Sequence, residues 1–335
     1  MRPLVHPALA RIWRDATTVQ FGLDPSHAVV LGGVGTIETA LLHSIDGAHD
    51  ERALRELARG AGGDPESAER LVECLRSAGV LIDGDEARPD DAAGALAPDQ
   101  ATLGLLTGEP DGGASALANR RRSHVEVCGA GRVGAVAARL LAAAGVGTVT
   151  VEDDARVTPA DLAPGGLGSP DLGRSREKPL EASLPGDVGD DPPPTPDLVV
   201  ISPSSGTGRD TALALLRRGV AHLFARVVEV TGTVGPLVLP GRSSCQRCHD
   251  LHRSERDPAW PRVLAQADDQ PPGVAACDVT LATQVAALAA QQVLAHLDGF
   301  EPATLDGTIE IRLPYGLARR RGWRPHPACG CMWPA

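Results

Sequence analysis

Four cysteines in two close pairs are the residues whose types and spacing predict chemistry most directly. Cys245 and Cys248 form a Cys-x-x-Cys pair, and Cys329 and Cys331 form a Cys-x-Cys pair near the end of the 335-residue sequence. Four thiolates from two such pairs match a structural, tetrahedral zinc site. A site of this kind has no open coordination position, so we assign the metal no catalytic role.

Other interpretations of the cysteines stay open at this point. His249 or His326 could replace one thiolate, because the second pair is shorter than a Cys-x-x-Cys. The four thiols could also be surface residues or a redox couple. The remaining cysteines, Cys74, Cys128 and Cys277, are predicted to be small buried residues rather than nucleophiles. We assign no catalytic residue.

A glycine-rich turn is the second chemical feature. The segment "HVEVCGAGRVG" reads as a buried strand followed by Gly129, Gly131 and Gly134 in G-x-G-x-x-G spacing. Such a turn lets backbone N–H groups approach a phosphate at the start of the following helix. Asp153 lies near the end of the next strand, where a ribose hydroxyl would be met. The turn could hold the phosphate of a nicotinamide cofactor, that of ATP, or none. Three acids directly after "TVTV" favour contact with a ribose over the alternative, an acidic surface turn.

A polar segment with several histidines and arginines follows the first cysteine pair. "HDLHRSERDPAWP" places His249, His252, Arg253, Arg256 and Trp260 in a short span. These residues could hold a carboxylate-rich peptide or line an active crevice. A solvated loop with one structural tryptophan explains them equally well.

Composition limits the partners and the compartment. The net charge of -11 argues against nonspecific binding to nucleic acid or to an anionic membrane surface. No run of eighteen uncharged apolar residues predicts a membrane span, and the N-terminus lacks an apolar block of signal-peptide length. Closely paired cysteines suit metal binding in a reducing compartment. We therefore expect a cytoplasmic protein with no nucleic-acid or membrane partner.

The elements that position these residues divide the chain into three parts. Residues 1–84 predict a small winged-helix-like domain, with strands at "TVQFG" and "AVVLGG" and three amphipathic helices. Those helices are acidic, which favours peptide binding or packing over DNA binding. Residues 85–122 have the Pro, Gly, Asp and Ala content of a linker, interrupted by a short helix around "ATLGLLTG". Residues 123–335 alternate strands with helices, which predicts a doubly wound, Rossmann-like α/β domain.

The segment "GAGRVGAVAARLLAAAGVGTVTVEDDARV" resembles the opening of the ThiF/MoeB family, relatives of the ubiquitin-activating enzymes. The resemblance extends through most of residues 123–331. It implies ATP and magnesium rather than NAD, adenylation of the C-terminal carboxylate of a small protein or peptide, a homodimer, and zinc held by the two cysteine pairs. The matching positions are Leu141, Gly145, Val146, Gly147, Asp153 and Val157.

The positions that handle phosphate in that family are changed in this chain. Ala155 stands at its second aspartate, the segment 160–165 lacks its arginine, Arg176 replaces its lysine, and its magnesium-binding aspartate falls near Ser204. Each lost charge contact could cost about 2–4 kcal/mol in the transition state. The resemblance therefore implies an eroded ATP site. Its remaining candidates for cofactor binding are Gly129, Gly131, Gly134, Asp153 and Arg176.

The order of domains is similar to that of a particular branch, the leader-peptide-binding proteins of azole-modified bacteriocin biosynthesis. That resemblance implies that a precursor peptide adds as a strand beside residues 29–31 and packs against the helix carrying Leu71 and Leu75. It also implies a YcaO-type cyclodehydratase as partner. We predict a ThiF-fold, peptide-binding partner protein in ribosomal peptide modification. The alternative is an active ATP-dependent adenylyltransferase acting on a peptide or ubiquitin-like C-terminus, whereas a dehydrogenase leaves the cysteine pairs unexplained.

Overall fold

The computed structural model describes residues 1–87, 91–184, 195–204, 206–268 and 276–332. The chain divides into two compact units, Met1–Ala118 and Asn119–Ala335, and each is described by itself. No helix within the described part has the length and hydrophobicity needed to span a membrane.

The first unit combines two small antiparallel sheets with short helices. One sheet has the order β2-β3-β4, and the other pairs β1 with β5. The three predicted helices and the strands β3 and β4 are present, and Phe21, Leu41, Leu42 and Leu54 lie fully buried between them. The elements are β1 Pro3–Val5, β2 Arg11–Asp15, β3 Thr18–Phe21, β4 Val29–Leu31, α1 Thr36–Ser44, α2 Glu51–Gly60, α3 Glu66–Ser77, β5 Leu81–Asp83 and α4 Ala97–Thr107. The next helix, α5 Ala114–Arg122, contains the boundary between the two units.

The segment predicted as a linker, 85–122, is largely helical where it is described. It contains α4, which covers the short helix expected there, and α5; residues 88–90 lie outside the described residues. The two units meet at residues 118/119 rather than at 122/123. The helix α5 was not predicted, because the segment before it is rich in Gly, Pro and Asp. The assignment of separate roles to the two units stays a prediction.

The second unit contains one seven-stranded sheet of order β12-β11-β10-β9-β8-β6-β7. The strands β7, β6, β8 and β9 are parallel, and β9 to β12 continue as an antiparallel meander. The elements are β6 His124–Cys128, α6 Gly134–Ala143, β7 Thr148–Glu152, α7 Glu177–Glu181, β8 Leu198–Ile201, α8 Arg209–Arg218, β9 His222–Val228, β10 Thr231–Val238, α9 Gln246–Arg256, α10 Trp260–Asp268, α11 Val279–Leu297, β11 Gly307–Arg312 and β12 Leu317–Gly322.

Helices cover both faces of this sheet, which confirms the predicted α/β fold. The helices α6 and α11 pack on one face with Val125, Val127 and Leu141 in the main core, and α8 packs on the other against Ile201 and Phe224. The helix α11 is rich in alanine and approaches β10 closely. The doubly wound arrangement is limited to the parallel half, since the antiparallel half is a meander.

Candidate functional site: a glycine turn and a four-cysteine cluster

At two of the three glycines in the turn between β6 and α6, a Cβ atom would clash with backbone atoms. The third glycine could carry a Cβ atom without a clash. A Cβ on Gly129 would lie 2.1 Å from the carbonyl oxygen of Ser202, and a Cβ on Gly134 would lie 1.8 Å from the carbonyl oxygen of Gly129. The Cβ of a residue at Gly131 would instead lie 3.5 Å from Cβ of Ser204 and 4.0 Å from Oδ1 of Asp161. Gly129 and Gly134 therefore serve packing, and Gly131 faces the crevice.

Asp153 braces the turn. Its Oδ2 accepts a hydrogen bond from the Ala130 backbone N–H at 2.7 Å, and its Oδ1 accepts one from Ala155 at 2.9 Å. The carboxylate is almost fully buried. One backbone donor of the glycine turn is thus already satisfied by the chain itself.

Arg176 is buried beside the turn and is held by three side chains. Its Nη2 donates to Oδ1 of Asp161 at 2.8 Å, and its Nη1 donates to Oδ2 of Asp153 at 3.2 Å and to Oγ of Ser204 at 2.9 Å. Its Nε is buried and has no hydrogen-bond partner among the described residues. We call Asp153, Asp161, Arg176 and Ser204 the crevice cluster.

The crevice cluster carries two carboxylates for one guanidinium. Asp161 lies in a short 3-10 turn and also accepts hydrogen bonds from N–H and Oγ1 of Thr158, both at 2.8 Å. The resemblance to the ThiF/MoeB family pointed to Asp153, Arg176 and the position near Ser204, and the structure brings these residues together. The sequence analysis missed Asp161 as a partner of Arg176. The sequence signal for this contact was Asp161, an acidic residue in the segment 160–165 that lacks the family's arginine. Lys178 is exposed on α7.

The four paired cysteines converge in the second unit. The Sγ atoms of Cys245 and Cys248 are 4.0 Å apart, those of Cys245 and Cys329 are 3.5 Å apart, and those of Cys248 and Cys331 are 3.4 Å apart. All four lie within 4.8 Å of one another. Tetrahedral zinc at a Zn–S distance of about 2.3 Å requires S···S distances of about 3.8 Å, whereas a disulfide requires about 2.0 Å. The thiols therefore fit a metal and are too far apart for disulfides.

The start of α9 positions the first pair. Cys245 is the N-cap residue of this helix, and Cys248 lies in its first turn. Hydrogen bonds from the Cys245 thiol and from the His326 backbone N–H, the latter at 3.3 Å, lower the pKa of Cys248 to about 4. A thiolate in this position is the species that binds a soft metal ion.

The two histidines considered as substitute ligands face other groups. The ring of His249 stacks on Trp323 with a centroid distance of 4.7 Å, and burial lowers its pKa to about 3. Nε2 of His326 lies 2.9 Å from Oε1 of Glu255. The described residues thus bring together four thiols, with both imidazoles directed elsewhere.

The remaining cysteines differ in exposure. Cys74 is exposed on α3, so its predicted burial is wrong: the core side of that helix carries Leu71 and Leu75, and Cys74 lies beside it. Cys128 and Cys277 are partly buried. Burial, and then hydrogen bonding of the thiol to Glu152, raises the pKa of Cys128, which keeps it protonated and unreactive.

The first unit has a groove beside its edge strand. The strand β4 pairs with β3 and ends its sheet, and a groove of about 180 Å³ separates it from α3. Val30 is half-exposed on β4, whereas Leu71 and Leu75 are buried in the core of the unit. Leu71 also lines the groove, together with Ser67, Arg70 and Cys74 of α3, whereas Leu75 packs in the core of the unit.

A comparison with models of known protein families finds a match in the segment that contains the glycine turn. Residues 108–184, which include the glycine turn, Asp153 and Arg176, match the model of the ThiF family. The chain has the ThiF fold. No curated protein sequence matches it.

Solved structures share the ThiF fold over nearly the whole chain. E. coli MccB with ATP superposes with a TM-score of 0.70 at 15% identity, covering 99% of this chain and 100% of that one. The microcin C7 biosynthetic enzyme MccB in complex with N-formylated MccA gives a TM-score of 0.71 at 14% identity, covering 99% and 100%. PaaA gives 0.69 at 15%, covering 94% and 98%. At such identities the likeness establishes the fold alone.

Proposed function

We propose that the chain is a ThiF-fold, peptide-binding partner protein in ribosomal peptide modification, with an ATP site that no longer handles a triphosphate. The observation that carries this proposal is the pairing of Arg176 with both Asp153 and Asp161. Arg176 is the residue at the family's lysine position, and its charge is already neutralised within the protein.

The charges of the crevice cluster oppose a polyphosphate. At an effective dielectric constant of about 20, a phosphate charge about 4 Å from the Asp161 carboxylate costs about 4 kcal/mol. Recruiting Arg176 to the phosphate would also break buried ion pairs, and losing a partner in such a pair costs about 3–5 kcal/mol. The resemblance places the magnesium-binding aspartate near residue 204, where this chain has Ser204. The repulsion from Asp161, the cost of breaking the ion pairs of Arg176 and the missing magnesium-binding aspartate together support a crevice that excludes Mg·ATP.

Peptide binding is supported by the first unit and by its neighbours in fold. The free edge of β4 and the groove against α3 offer backbone hydrogen-bond groups and a lined pocket, the requirements for strand addition. Several structures of E. coli MccB contain MccA. We infer that a precursor peptide binds the present chain at β4.

Structural zinc completes the proposal. A donor set of four cysteine thiolates with Sγ distances of 3.4–4.0 Å suits Zn²⁺, which would join the start of α9 to the C-terminal segment carrying Cys329 and Cys331. A YcaO-type partner enzyme, a homodimer and a cytoplasmic location are part of the same proposal. The partner follows from the resemblance to the leader-peptide-binding branch, the homodimer from the resemblance to the ThiF/MoeB family, and the location from the closely paired cysteines.

The second candidate function is ATP-dependent adenylation of a peptide or ubiquitin-like C-terminus. It is favoured by the retained glycine turn, and by the likeness in fold to MccB with ATP. This candidate needs Arg176 to leave Asp153 and Asp161 when nucleotide binds.

ATP–pyrophosphate exchange separates the two candidates. The full chain is incubated with Mg·ATP, labelled pyrophosphate and a precursor peptide encoded near its gene, beside a ThiF-type adenylyltransferase as positive control. We expect peptide binding by fluorescence anisotropy without exchange above background. Peptide-dependent exchange would establish the adenylyltransferase instead.

A further inference from the structure

The strand β12 forms the outer edge of the antiparallel half of the sheet. Within the described ranges it pairs with β11 alone. All six of its residues are exposed; Leu317, its first residue, is 77% exposed, and Tyr315, two residues before the strand, is 84% exposed. An edge strand presents a row of backbone N–H and C=O groups that can pair with another chain.

Three guanidinium groups converge on a single indole behind this edge. The Cζ atoms of Arg321, Arg253 and Arg256 lie 5.3, 5.5 and 5.6 Å from the centroid of the Trp323 ring. Trp323 is buried and its Nε1 donates to Oγ1 of Thr308 at 3.1 Å. The indole is fixed, so it holds the three positive charges close together.

The carboxylates near these arginines are shared with other basic groups, and Glu255 on α9 contacts His252 and His326. Glu310 accepts from Arg321 at 3.4 Å and from Arg312 at 3.3 Å. Asp250 forms a bidentate pair with Arg209. We define the arginine edge as the strand β12 with Arg253, Arg256, Arg312, Arg319 and Arg321.

The segment "HDLHRSERDPAWP" supplies the helical part of the arginine edge. It folds as α9 and the start of α10 rather than as a solvated loop, and Arg253 also stacks on Trp260 at 4.9 Å. His249 stacks on the other side of the cluster, against Trp323, directly after Cys248. The four-cysteine cluster therefore anchors the helix that brings Arg253 and Arg256 to the sheet.

We propose that the arginine edge binds an extended acidic peptide segment, which adds as a further strand beside β12. Alternate side chains of a strand share one face, so acidic residues at every second position of the peptide meet Arg319 and Arg321, and the apolar residues between them lie on the opposite face. This surface is in the second unit and does not depend on the groove beside β4.

The same charges argue against other occupants. A second copy of this chain pairing β12 with β12 would place arginines opposite arginines, which destabilises a sheet. The phosphates of a nucleic acid could pair with the arginines but would leave the backbone N–H and C=O groups of the edge strand unpaired. The six residues of β12 also span only about 20 Å. An acidic peptide satisfies both the backbone groups and the arginines.

Fluorescence anisotropy tests the proposal on the full, zinc-loaded chain. The probe is a labelled, amidated hexapeptide of alternating glutamate and valine, compared with its lysine–valine counterpart and with a version N-methylated at alternate amides. We expect the acidic peptide to bind at least tenfold more tightly than either comparison peptide. Equal binding of the N-methylated peptide would overturn strand addition. Tighter binding of a labelled single-stranded oligonucleotide of six nucleotides would overturn the peptide as occupant.

Charge reversal locates the site. The double substitution Arg319→Glu/Arg321→Glu should weaken binding at least thirtyfold, while Arg217→Glu/Arg218→Glu on α8 makes the same change in net charge and should leave it within twofold. Arg319→Glu alone avoids the Trp323 cluster, so it separates lost binding from misfolding and should still weaken binding at least fivefold. Unchanged binding by Arg319→Glu and by a folded double variant would refute the proposal.

Discussion

Nη2 of Arg176 lies 2.8 Å from Oδ1 of Asp161, and both side chains are almost fully buried. The same arginine reaches Asp153, whose carboxylate already accepts the N–H of Ala130 in the glycine turn. Arg176 thus joins the glycine turn to the 3-10 turn at 159–161 through two ion pairs. The proposed loss of ATP handling rests on this arrangement more than on any single missing residue.

Replacing Asp161 by asparagine should restore affinity for nucleotides. The substitution Asp161→Asn leaves an oxygen to accept from Arg176 but removes one negative charge beside Gly131. If it relieves about 1.4–3 kcal/mol of repulsion, Mg·ATP should bind about 10–100-fold more tightly in isothermal titration calorimetry.

Asp171 provides the matched control for that experiment. Like Asp161, it is the third residue of a short 3-10 turn and accepts the backbone N–H that precedes the turn, here from Gly168 at 2.9 Å. It pairs with Arg174 rather than with Arg176. Asp171→Asn should leave nucleotide affinity unchanged, and equal gains in both variants would remove the charge argument.

Metal analysis of the purified chain should give about one zinc per chain. Cys245→Ser removes a ligand, so we expect loss of the metal and a melting temperature lower by about 6–12 °C, which corresponds to about 3 kcal/mol for a unit of this size. Cys74→Ser, at an exposed cysteine, should change neither quantity. Metal-free protein in which Cys245→Ser melts like the parent would exclude the zinc site.

Two glycines of the turn should respond differently to alanine. Gly134→Ala places a Cβ against the backbone oxygen of Gly129, which cannot move independently of the turn. The free energy of unfolding measured in urea should therefore fall by at least about 3 kcal/mol. Gly131→Ala has its nearest atoms at 3.5–4.0 Å and should change stability by less than about 1 kcal/mol. A reversed order of these effects would mean that the turn is packed differently.

The edge of β4 should be required for precursor binding. Val30→Glu introduces a charge at a half-exposed position, so we expect at least a tenfold loss of affinity for the precursor peptide in anisotropy titrations, with an unchanged melting temperature. Val228→Glu, at a similarly exposed valine of β9 in the second unit, is the control and should bind normally. Normal binding by Val30→Glu would place the peptide elsewhere.

Local patterns explain which parts of this fold were predictable. The strands β6 and β8 and the helix α11 have apolar runs of the right length, and the resemblance to the ThiF/MoeB family pointed to Asp153, Arg176 and Ser204 as neighbours. The strand β12 consists largely of exposed arginines and lacks any apolar alternation, so its sequence resembles a loop. The helix α9 was concealed in the same way by its many charged residues.

The decisive contact of the crevice could not be read from spacing. Asp161 reaches Arg176 because the 3-10 turn at 159–161 directs its carboxylate inward, and this depends on contacts fifteen residues apart. The arginine edge likewise depends on Trp323, which joins α9 to β12 across the sequence. Long-range side-chain pairing of this kind has no periodic signature.

A crystal of the full chain soaked with ATP and magnesium tests the central claim most directly. The account predicts no ordered triphosphate at Gly131, with Arg176 still bonded to Asp153 and Asp161. An ordered triphosphate held by Arg176 and a metal ion would contradict it and would identify an active adenylyltransferase.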